Sequence, residues 1–541
     1  MTDLLAVLCG FILLTSNGRV ASFSVGCIPL ITHDARERTR HYQRCHHCRH
    51  QIKNGRQRNV LVFESEVGED GSIDELESAE ASNESRTTIS EVKASKREMM
   101  RFAAPALGIF LTNPLLSNID NAFVGKTTGT AGLAALSPAT ICTDQILYLF
   151  SFLSRATTGL VSRAYGADSD GKNGNVDAAR EAASAPLTVS LICGVILSIL
   201  YAFLTPAMLS GMNVNPSLRR NAASYVYWRG AIAWAALAQA CSLQVMLATR
   251  DAVTPLVIVA AAALLNIVGD ALFCAWPFRW GCAGAAAATS LATLLSSGLM
   301  LVALKRKQLL SSLRLPKRKD LTSLLDFTGP LLAITVTRLI GFVAMQKRAM
   351  TLGVEPLAAY QLCINVIMFF LLFGEPLSQL SQTKLPPLVD AQDGDAIMAN
   401  LKSILILGLG ASIGVGACSF AAVRFGSFLF TSDAAVQAVA KAAAPGVFYA
   451  VSTAIMAVTV DGAMLASRDF SFMLFMGLTT SILQLYTLNW CNSITTIFGT
   501  FTFRLASYTV GVIARVKLGK GEIGRAVQKK RANRAMQTAT S

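Results

Sequence analysis

Twelve long apolar runs follow one another along most of this chain, and they decide what it can fold into. Most are close to the roughly 20 residues that a helix needs to cross about 30 Å of hydrocarbon. The predicted spans are 102–124, 139–162, 182–204, 223–248, 254–274, 281–304, 324–346, 358–382, 401–423, 442–464, 472–490 and 494–516. Strands of a membrane barrel are about ten residues long and alternate apolar with polar residues, which excludes a barrel. With 52% hydrophobic and 15% charged residues, the chain is predicted to be an all-α, multi-pass membrane protein.

Lys and Arg concentrate in the connections after even-numbered spans and in the C-terminal tail. The clearest runs are "KRKQLLSSLRLPKRK" (305–319) and "KKRANR" (529–534). By the positive-inside rule, both ends of the membrane domain are predicted to face the inner side. An anionic lipid or nucleic-acid surface would also attract a net charge of +15, but loop topology explains it in a chain with this many spans. We therefore expect a lipid bilayer around the protein and no nucleic-acid partner.

The first hundred residues have a different composition from the rest. The apolar stretch 4–14 is too short to span a membrane and is typical of a secretory signal core, while 33–58 is Arg-rich, His-rich and poor in acids, like a transit peptide. This order resembles the two-part presequences of plastids wrapped in extra membranes. We predict a presequence over 1–60 and an acidic, disordered linker over 61–100. "CHHC" (45–48) lacks the second ligand pair of a structural zinc site, so no metal site is predicted.

Three short motifs recur in order along the chain. They are "MLATRD" (246–251) and "MLASRD" (464–469) at an offset of 218, "FAAP" (102–105) and "FTGP" (327–330) at 225, and "LAAL" (133–136) and "LAAY" (357–360) at 224. Six spans separate the copies, so both halves enter the membrane in the same orientation, related by an axis along the membrane normal. Two six-helix lobes around a central cavity are therefore predicted. Their boundaries are 101–304 for the N lobe, 305–323 for a basic inter-lobe loop, 324–516 for the C lobe and 517–541 for a basic tail.

Two acids, Asp120 and Asp270, are predicted to lie well within spans of the N lobe, and Asn266 precedes Asp270 by one helical turn. A charged group at bilayer depth costs at least about 2.5 kcal/mol, so it should face a cavity or a partner. Desolvation and a second carboxylate both favour the protonated form, so such a pair could exchange a proton, or a sodium ion, for a solute. The alternatives are a packing role for Asp270 and a headgroup position for Asp120. At the repeat spacing their C-lobe counterparts would be Met345 and Ser493, so the acids are predicted in one lobe only.

Arg155 and Arg338 are basic residues predicted inside the second and seventh spans. They could pair with an anionic substrate, pair with Asp120 and Asp270 in its absence, or extend to the interface. Glu375 with Pro376 is predicted to break the eighth helix beside the cavity, because proline lacks a backbone donor. The further candidates for the substrate cavity are Glu375 itself and Asn113 of the first span.

The stretches "PALGIFLTNPLLSNIDNAFVG", "LAALSPATICTDQILYLFSFLSRAT", "RGAIAWAALAQACSLQVMLATRD", "FGEPLSQLSQTKLPPLV" and "DGAMLASRD" resemble the multidrug and toxic compound extrusion (MATE) family, and within it the DNA-damage-inducible-F-like branch that includes plastid members. The resemblance covers about residues 100–515. It implies a two-lobe antiporter that exports organic solutes, among them aromatic or carboxylate metabolites, in exchange for protons or sodium and without another cofactor. The family's cation-coupling positions match Asp120, Asn266 and Asp270, and Thr289 after a one-residue shift.

The resemblance also implies a monomer whose partner is a small organic solute. Its expected place is the plastid envelope, with another organelle or the plasma membrane as alternatives. A membrane-embedded transferase is the rival of a different class, but all five histidines precede residue 51 and no DDxxD-like cluster occurs, so no enzyme is predicted. A lipid-linked sugar flippase of related architecture stays open, although its pyrophosphate would call for more cations in the cavity. No P-loop motif for ATP-driven transport is present.

Overall fold

The computed structural model describes residues 73–166, 175–212, 214, 216–310, 318–429 and 433–540. It divides into two units, Met1–Lys93 and Ala94–Ser541. The predicted signal core, the transit-like stretch and the motif at 45–48 lie outside the described residues, so these predictions remain predictions.

All regular elements of the described residues are helical. Those before the inter-lobe loop are α1 (Ile73–Thr140), α2 (Ile146–Leu149), α3 (Ser151–Tyr165), α4 (Val176–Gly211), α5 (Pro216–Ala231), α6 (Ala233–Ala248), α7 (Val253–Asp270) and α8 (Cys282–Arg306). Those after it are α9 (Arg318–Met350), α10 (Val354–Leu371), α11 (Glu375–Asp390), α12 (Gly394–Gly426), α13 (Ala434–Ala466), α14 (Phe470–Leu488), α15 (Ile494–Lys517) and α16 (Gly521–Thr540). The short helical turns between them are the π-helical Ile141–Gln145 and Ala271–Ala275 and the 3₁₀ turns Leu372–Gly374 and Ser427–Leu429.

Ten helices of the described residues are long and apolar enough to cross a membrane, and the pair α5 and α6, bent by 52°, makes an eleventh if it is one span. The predicted span that does not qualify is the second, 139–162. Its residues are helical, but a π-helical turn and a break at Phe150 interrupt them, and they carry Asp144 and Arg155. These two charged residues lower the hydropathy of the segment. The helix tolerates them because both form ion pairs inside the protein.

The segments that flank the predicted spans are helical as well, where the structure describes them. α1 begins at Ile73, inside the region 61–100 that was predicted to be disordered. Glu, Ala, Lys and Arg together make up nearly half of residues 73–100, and all four are strong helix formers. The basic tail folds into α16, which buries Ile523 and Ala526. Gly394 at the start of α12 allows that close approach, since a Cβ there would lie 2.6 Å from the carbonyl oxygen of Ala526.

Each lobe packs around its own long helices. In the C lobe α13 lies at the centre, against α10, α11, α12 and α15, and small residues such as Ala443 and Ala450 let these neighbours come close. In the N lobe α6 and α8 contact each other, and each packs on further helices of the same lobe. The lobes meet where α3 contacts α9 and α11 and where α6 contacts α11.

The repeated "RD" motifs end α6 and α13 in the same way. Arg250 and Arg468 both take left-handed backbone conformations, with φ of 64° and 56°. The amide of the following aspartate then donates to a carbonyl of the last helical turn, which closes a C-cap. These bonds are Asp251 N to Met246 O at 3.0 Å and Asp469 N to Met464 O at 3.2 Å.

The aspartates of the two caps also bind equivalent partners. Asp251 pairs with Lys307 at 2.7 Å and Asp469 with Arg515 at 2.6 Å. Lys307 follows α8 and Arg515 lies in the last turn of α15, so in each lobe the end of the fourth span is tied to the end of the sixth. The sequence repeat is therefore a structural repeat here. We refer to the end of the bundle that holds these two caps as the basic end.

Candidate cation and substrate sites

Three helices of the N lobe bring four polar residues together. The side-chain amide Nδ2 of Asn266 donates to Asp120 Oδ1 at 2.7 Å and to Asp270 Oδ2 at 3.3 Å. The hydroxyl of Thr289 donates to Asp120 Oδ2 at 3.2 Å. These are the four residues that the sequence predicted as a cation-coupling set, and we name them the acid cluster.

The local sequence explains how these side chains meet. Asn266 and Asp270 are one turn apart on α7 and so lie on one face. Gly269, between them, faces α8: a Cβ there would lie 2.8 Å from the Cβ of Ala288. The absence of a side chain at Gly269 therefore lets α8 bring Thr289 against Asp120.

The acid cluster is buried and rich in oxygen. Asn266 and Asp270 are fully buried and Asp120 is 8% exposed. No Lys or Arg of the described residues forms an ion pair with either acid. The Oδ1 atom of Asn266 is buried without a hydrogen-bond partner among the described residues. Two carboxylates and a free amide oxygen are ligands suited to a proton or to a hard cation such as sodium.

The two predicted basic residues pair elsewhere. Arg155 binds Glu375 across the lobes at 3.4 Å, and Arg338 binds Asp461 within the C lobe. The predicted alternative in which they pair with Asp120 and Asp270 is therefore wrong for this conformation. The acids of the N lobe are held instead by the neutral amide of Asn266, which needs no charged partner.

Sequence reasoning missed Asp461, so the prediction that the acids are confined to the N lobe is wrong. Asp461 is 2% exposed and also accepts a hydrogen bond from the hydroxyl of Tyr508 at 2.6 Å. The signal was available, because "VTVDGAML" lies inside the predicted tenth span.

The predicted counterpart of Asp270 also needs correction. Ser493 caps the start of α15, where its hydroxyl accepts from the amide of Thr496, and it is not part of α14. The aligned caps set the local offset at 218, which places Leu488, the last residue of α14, opposite Asp270.

A small cleft lies between the lobes. Arg155 and Tyr148 line it from the N lobe, and Arg338 and Asp461 line it from the C lobe. The apolar residues of its wall are Leu331, Ile334, Leu465 and Met473. Asn113 is exposed on α1 and is not among the residues that line this cleft.

The predicted break of the eighth span lies close to this cleft. The 3₁₀ turn Leu372–Gly374 precedes Glu375 and Pro376 at the start of α11. Proline is favoured in the first turn of a helix, where its missing donor has no intrahelical partner. Glu375 is thereby presented to Arg155 of the other lobe.

Side chains join the two lobes between this cleft and the basic end. Arg163 of α3 binds both Asp390 and the carbonyl oxygen of Ala466. The other bonds of this kind are Lys384 to Glu98 at 3.0 Å and Gln379 Nε2 to Gln244 Oε1 at 3.0 Å. These bonds hold the two lobes together near the basic end.

Comparisons with known proteins agree with this architecture. The MatE family model matches residues 105–272. The chain is 28% identical to Protein DETOXIFICATION 47, chloroplastic, of Arabidopsis thaliana over 388 residues, which cover 70% of this chain and 69% of that one. It is 26% identical to DNA damage-inducible protein F of Escherichia coli over 177 residues, 33% and 37% of the two chains. The fold matches the bent form of the Vibrio cholerae MATE transporter VcmN with a TM-score of 0.69, at 18% identity, over 82% of this chain and 99% of that one.

The helical fold with its two lobes is that of an integral, multi-pass membrane protein. The matched family model, the relatives and the fold make this chain similar to MATE family transporters. These matches favour a transporter over the membrane-embedded transferase considered from the sequence.

Proposed function

We propose that this protein is a secondary antiporter that exports small organic solutes across a plastid membrane in exchange for protons or sodium. The chloroplastic relative supports the location, as does the signal-then-transit composition of the first 60 residues. A fusion of residues 1–100 to a fluorescent protein should reach plastids, and fluorescence only in the secretory pathway or mitochondria would contradict that location.

The observation that carries the proposal is the acid cluster. Asn266 donates to two buried carboxyl groups at once, Asp120 and Asp270, and no Lys or Arg of the described residues forms an ion pair with either. Buried ionisable groups in membrane spans usually belong to ion pathways, because their insertion is otherwise unfavourable. A cation bound there would relieve the repulsion between the two acids, and its release would restore that repulsion. Binding or release of the cation can therefore change the relative free energies of two arrangements of the lobes.

The test is Asp270→Asn in proteoliposomes with an imposed proton or sodium gradient. Asparagine keeps the size of the side chain and removes its charge, so the protein should fold while gradient-driven transport falls at least about tenfold. Asp120→Asn should behave alike, and the double variant should lose little more, because the two acids act as one site.

The matched control is Asp326→Asn, the same substitution at an exposed position of α9. Transport by this variant should equal that of the unchanged protein. If folded Asp270→Asn protein still accumulates solute against a gradient at the unchanged rate, the acid cluster is structural. Transport of a lipid-linked sugar, but of no small solute, would favour the flippase alternative.

A further inference from the structure

Another cavity lies at the basic end, beside the cap that closes α6. Its free volume is about 180 Å³. Arg101 of α1 and Arg250 of the cap line it from the N lobe, and Lys384 of α11 lines it from the C lobe. Both arginines are exposed, so the cavity opens to the surface of the bundle. We refer to it as the end cavity.

Basic side chains outnumber acids in the wall of the end cavity. Both carboxylates of this wall already have lysine partners, which are Lys384 for Glu98 at 3.0 Å and Lys307 for Asp251 at 2.7 Å. Arg101 and Arg250 form no ion pair with any described residue. Two guanidinium groups therefore remain free to bind an anion through charge-assisted hydrogen bonds.

The start of α7 adds to the positive potential of the end cavity. This 18-residue helix begins at Val253, which lines the cavity together with Ala252. One of its first amides, that of Thr254, is already capped by Asp251 Oδ1 at 3.1 Å. The partial positive charge of a helix N-terminus favours anions, and phosphate groups often bind at such ends. This end of α7 lines the same space as two arginines and a lysine.

The two halves of the repeat differ at this position. The motif that begins at Phe102 returns at Phe327 with an offset of 225, which places Asp326 opposite Arg101. Both residues are helical and exposed. Because one copy has an acid where the other has a base, the shared fold does not require a basic residue here. The charge of Arg101 is instead specific to the cavity that it lines.

The size and position of the end cavity select the ligand. Drug-sized ligands occupy roughly 300 Å³ or more, so about 180 Å³ suits one phosphate group better than a whole organic solute. A guanidinium binds phosphate through two parallel hydrogen bonds, and a lysine binds it as a point charge. The predicted spans begin at 102 and 254, so the cavity lies at the level of the lipid headgroups, where dissolved anions also reach it.

We propose that the end cavity binds a phosphate group, held by Arg101 and Arg250 from one lobe and by Lys384 from the other. The phosphate is that of an anionic lipid headgroup or a dissolved phosphate. Because its ligands come from both lobes, bound phosphate stabilises the arrangement in which the basic end is closed. The end cavity is separate from the acid cluster, and its occupancy is measured without an ion gradient, so the test does not depend on antiport.

Two probes distinguish the sources of the phosphate. Radiolabelled inorganic phosphate is titrated against the purified full chain in an uncharged maltoside detergent at physiological ionic strength. Retention of phosphatidylglycerol is compared with that of a galactolipid with the same acyl chains, by native mass spectrometry of the same preparation. Saturable binding of inorganic phosphate supports the site with a dissolved ligand. Preferential retention of phosphatidylglycerol alone supports it with a lipid headgroup.

Substitutions assign the binding to the end cavity. Arg101→Gln should weaken binding of phosphate or phosphatidylglycerol at least about tenfold, because it removes a charge-assisted hydrogen bond, and Arg101→Lys should recover part of the loss. Arg250→Gln should act alike. Arg468→Gln is the matched control and should leave binding unchanged. Arg468 has the same left-handed backbone conformation in the other cap and does not line the end cavity.

Three outcomes would overturn the site. They are binding of neither probe by the unchanged protein, undiminished binding by folded Arg101→Gln protein, and equal losses in Arg250→Gln and Arg468→Gln. Arg101 is exposed and makes no ion pair with a described residue, so its substitution should leave folding intact. If Arg250→Gln does not fold, Arg101→Gln against Arg468→Gln decides alone.

Discussion

Asn266 in the N lobe and Gln484 in the C lobe are buried amides 218 residues apart, the same offset that separates the two repeated caps. Asn266 uses its NH₂ group to donate to two carboxylates, whereas Gln484 uses its oxygen to accept from the guanidinium of Arg504. The amide position has been kept, and the charge that it contacts has been reversed. The comparison teaches that the two halves of the repeat share a buried amide position, and that the charge of the group bound by this amide differs between the lobes.

The ends of the lobes show the contrary trend. The caps at Arg250 and Arg468 share their backbone conformation, their hydrogen bonds and an acid paired with a base. A helix end has unpaired carbonyl groups whatever the solute, so its requirements are the same in both copies. The residues inside the lobes, which can contact a substrate or an ion, are those that can differ between the two copies.

The same substitution, Asp to Asn, should destabilise the protein in the C lobe but not in the N lobe. Asp461→Asn leaves Arg338 and Arg504 buried without an acid, and loss of one partner of a buried pair costs about 3 kcal/mol. That figure is the low end of its range, because a third of the Arg338 side chain is exposed. Asp270→Asn instead removes an acid whose charged form is disfavoured by burial and by Asp120, and should leave stability equal or higher.

Thermal unfolding in detergent at one fixed scan rate measures both variants. Arg338→Gln added to Asp461→Asn should restore part of the lost stability, since it removes the isolated cation. Equal changes in the melting temperature of Asp461→Asn and Asp270→Asn would show that the lobes do not differ in polarity.

The second-largest effect is expected for a substitution that weakens the contact between the lobes. Arg163→Gln removes two bonds near the basic end, to Asp390 and to the carbonyl of Ala466. Hydrogen bonds of charged groups contribute about 1.5 kcal/mol or more, enough to shift a two-state equilibrium roughly tenfold toward opening at that end. Spin labels at the exposed positions Arg306 and Ala391 should report a longer inter-lobe distance, in a background where the exposed Cys418 is replaced by serine.

Arg180→Gln is the control for this measurement. Arg180 pairs with Asp177 inside α4, so its loss removes an ion pair without touching the other lobe. The distance distribution should stay that of the unchanged protein. An unchanged distribution in Arg163→Gln as well would mean that these bonds do not hold the lobes together.

The smallest effect is expected where the lobes are alike. Burial favours a higher pKa for Asp251, but hydrogen bonds from Lys307 and Thr254 outweigh it and lower the pKa below its usual value. A lowered folded-state pKa stabilises the protein above the unfolded value, near 4, and this contribution disappears as pH falls through the folded value. Asp251→Asn should therefore cost up to about 1 kcal/mol at pH 7 and nothing at strongly acidic pH.

Asp469→Asn, in the other cap, should match that loss at pH 7, because the acid makes an equivalent pair with Arg515. Melting temperatures of both variants provide the measurement. A loss in one variant alone would show that the caps are alike in geometry but not in energy.

The sequence was sufficient for the helical class and for most spans, because an apolar run of membrane length has few other uses. The span predicted at 139–162 is also helical, but its hydropathy is lower than that of the other spans, because it carries charged residues that pair inside the protein. Composition did not indicate the helix at 73–100, since it reports the lack of a core and not helix propensity.

For the site, spacing along one helix was enough to place Asn266 beside Asp270, and the family resemblance added Asp120 and Thr289. Partners from distant helices were not accessible in this way. Nothing in the local sequence of Arg338 indicates that Asp461 lies beside it, nor that Arg504 lacks an acid. Those contacts join helices that are distant in the sequence, and the spacing of residues along one helix does not reveal them.

The two caps have a mechanical consequence. By tying the fourth span of each lobe to the sixth at the basic end, they make that end the stiff end, so bending during transport is expected in the opposite halves of the helices. In α7 the regular helix ends at Asp270 and continues as the π-helical turn Ala271–Ala275. Asp270 therefore lies where the regular helix changes to a π turn, and in the proposed antiporter a cation gained or lost at Asp270 would act on the curvature of α7 at that point. Hydrogen exchange of residues 271–275, compared between the unchanged and the Asp270→Asn proteins, would measure that effect directly.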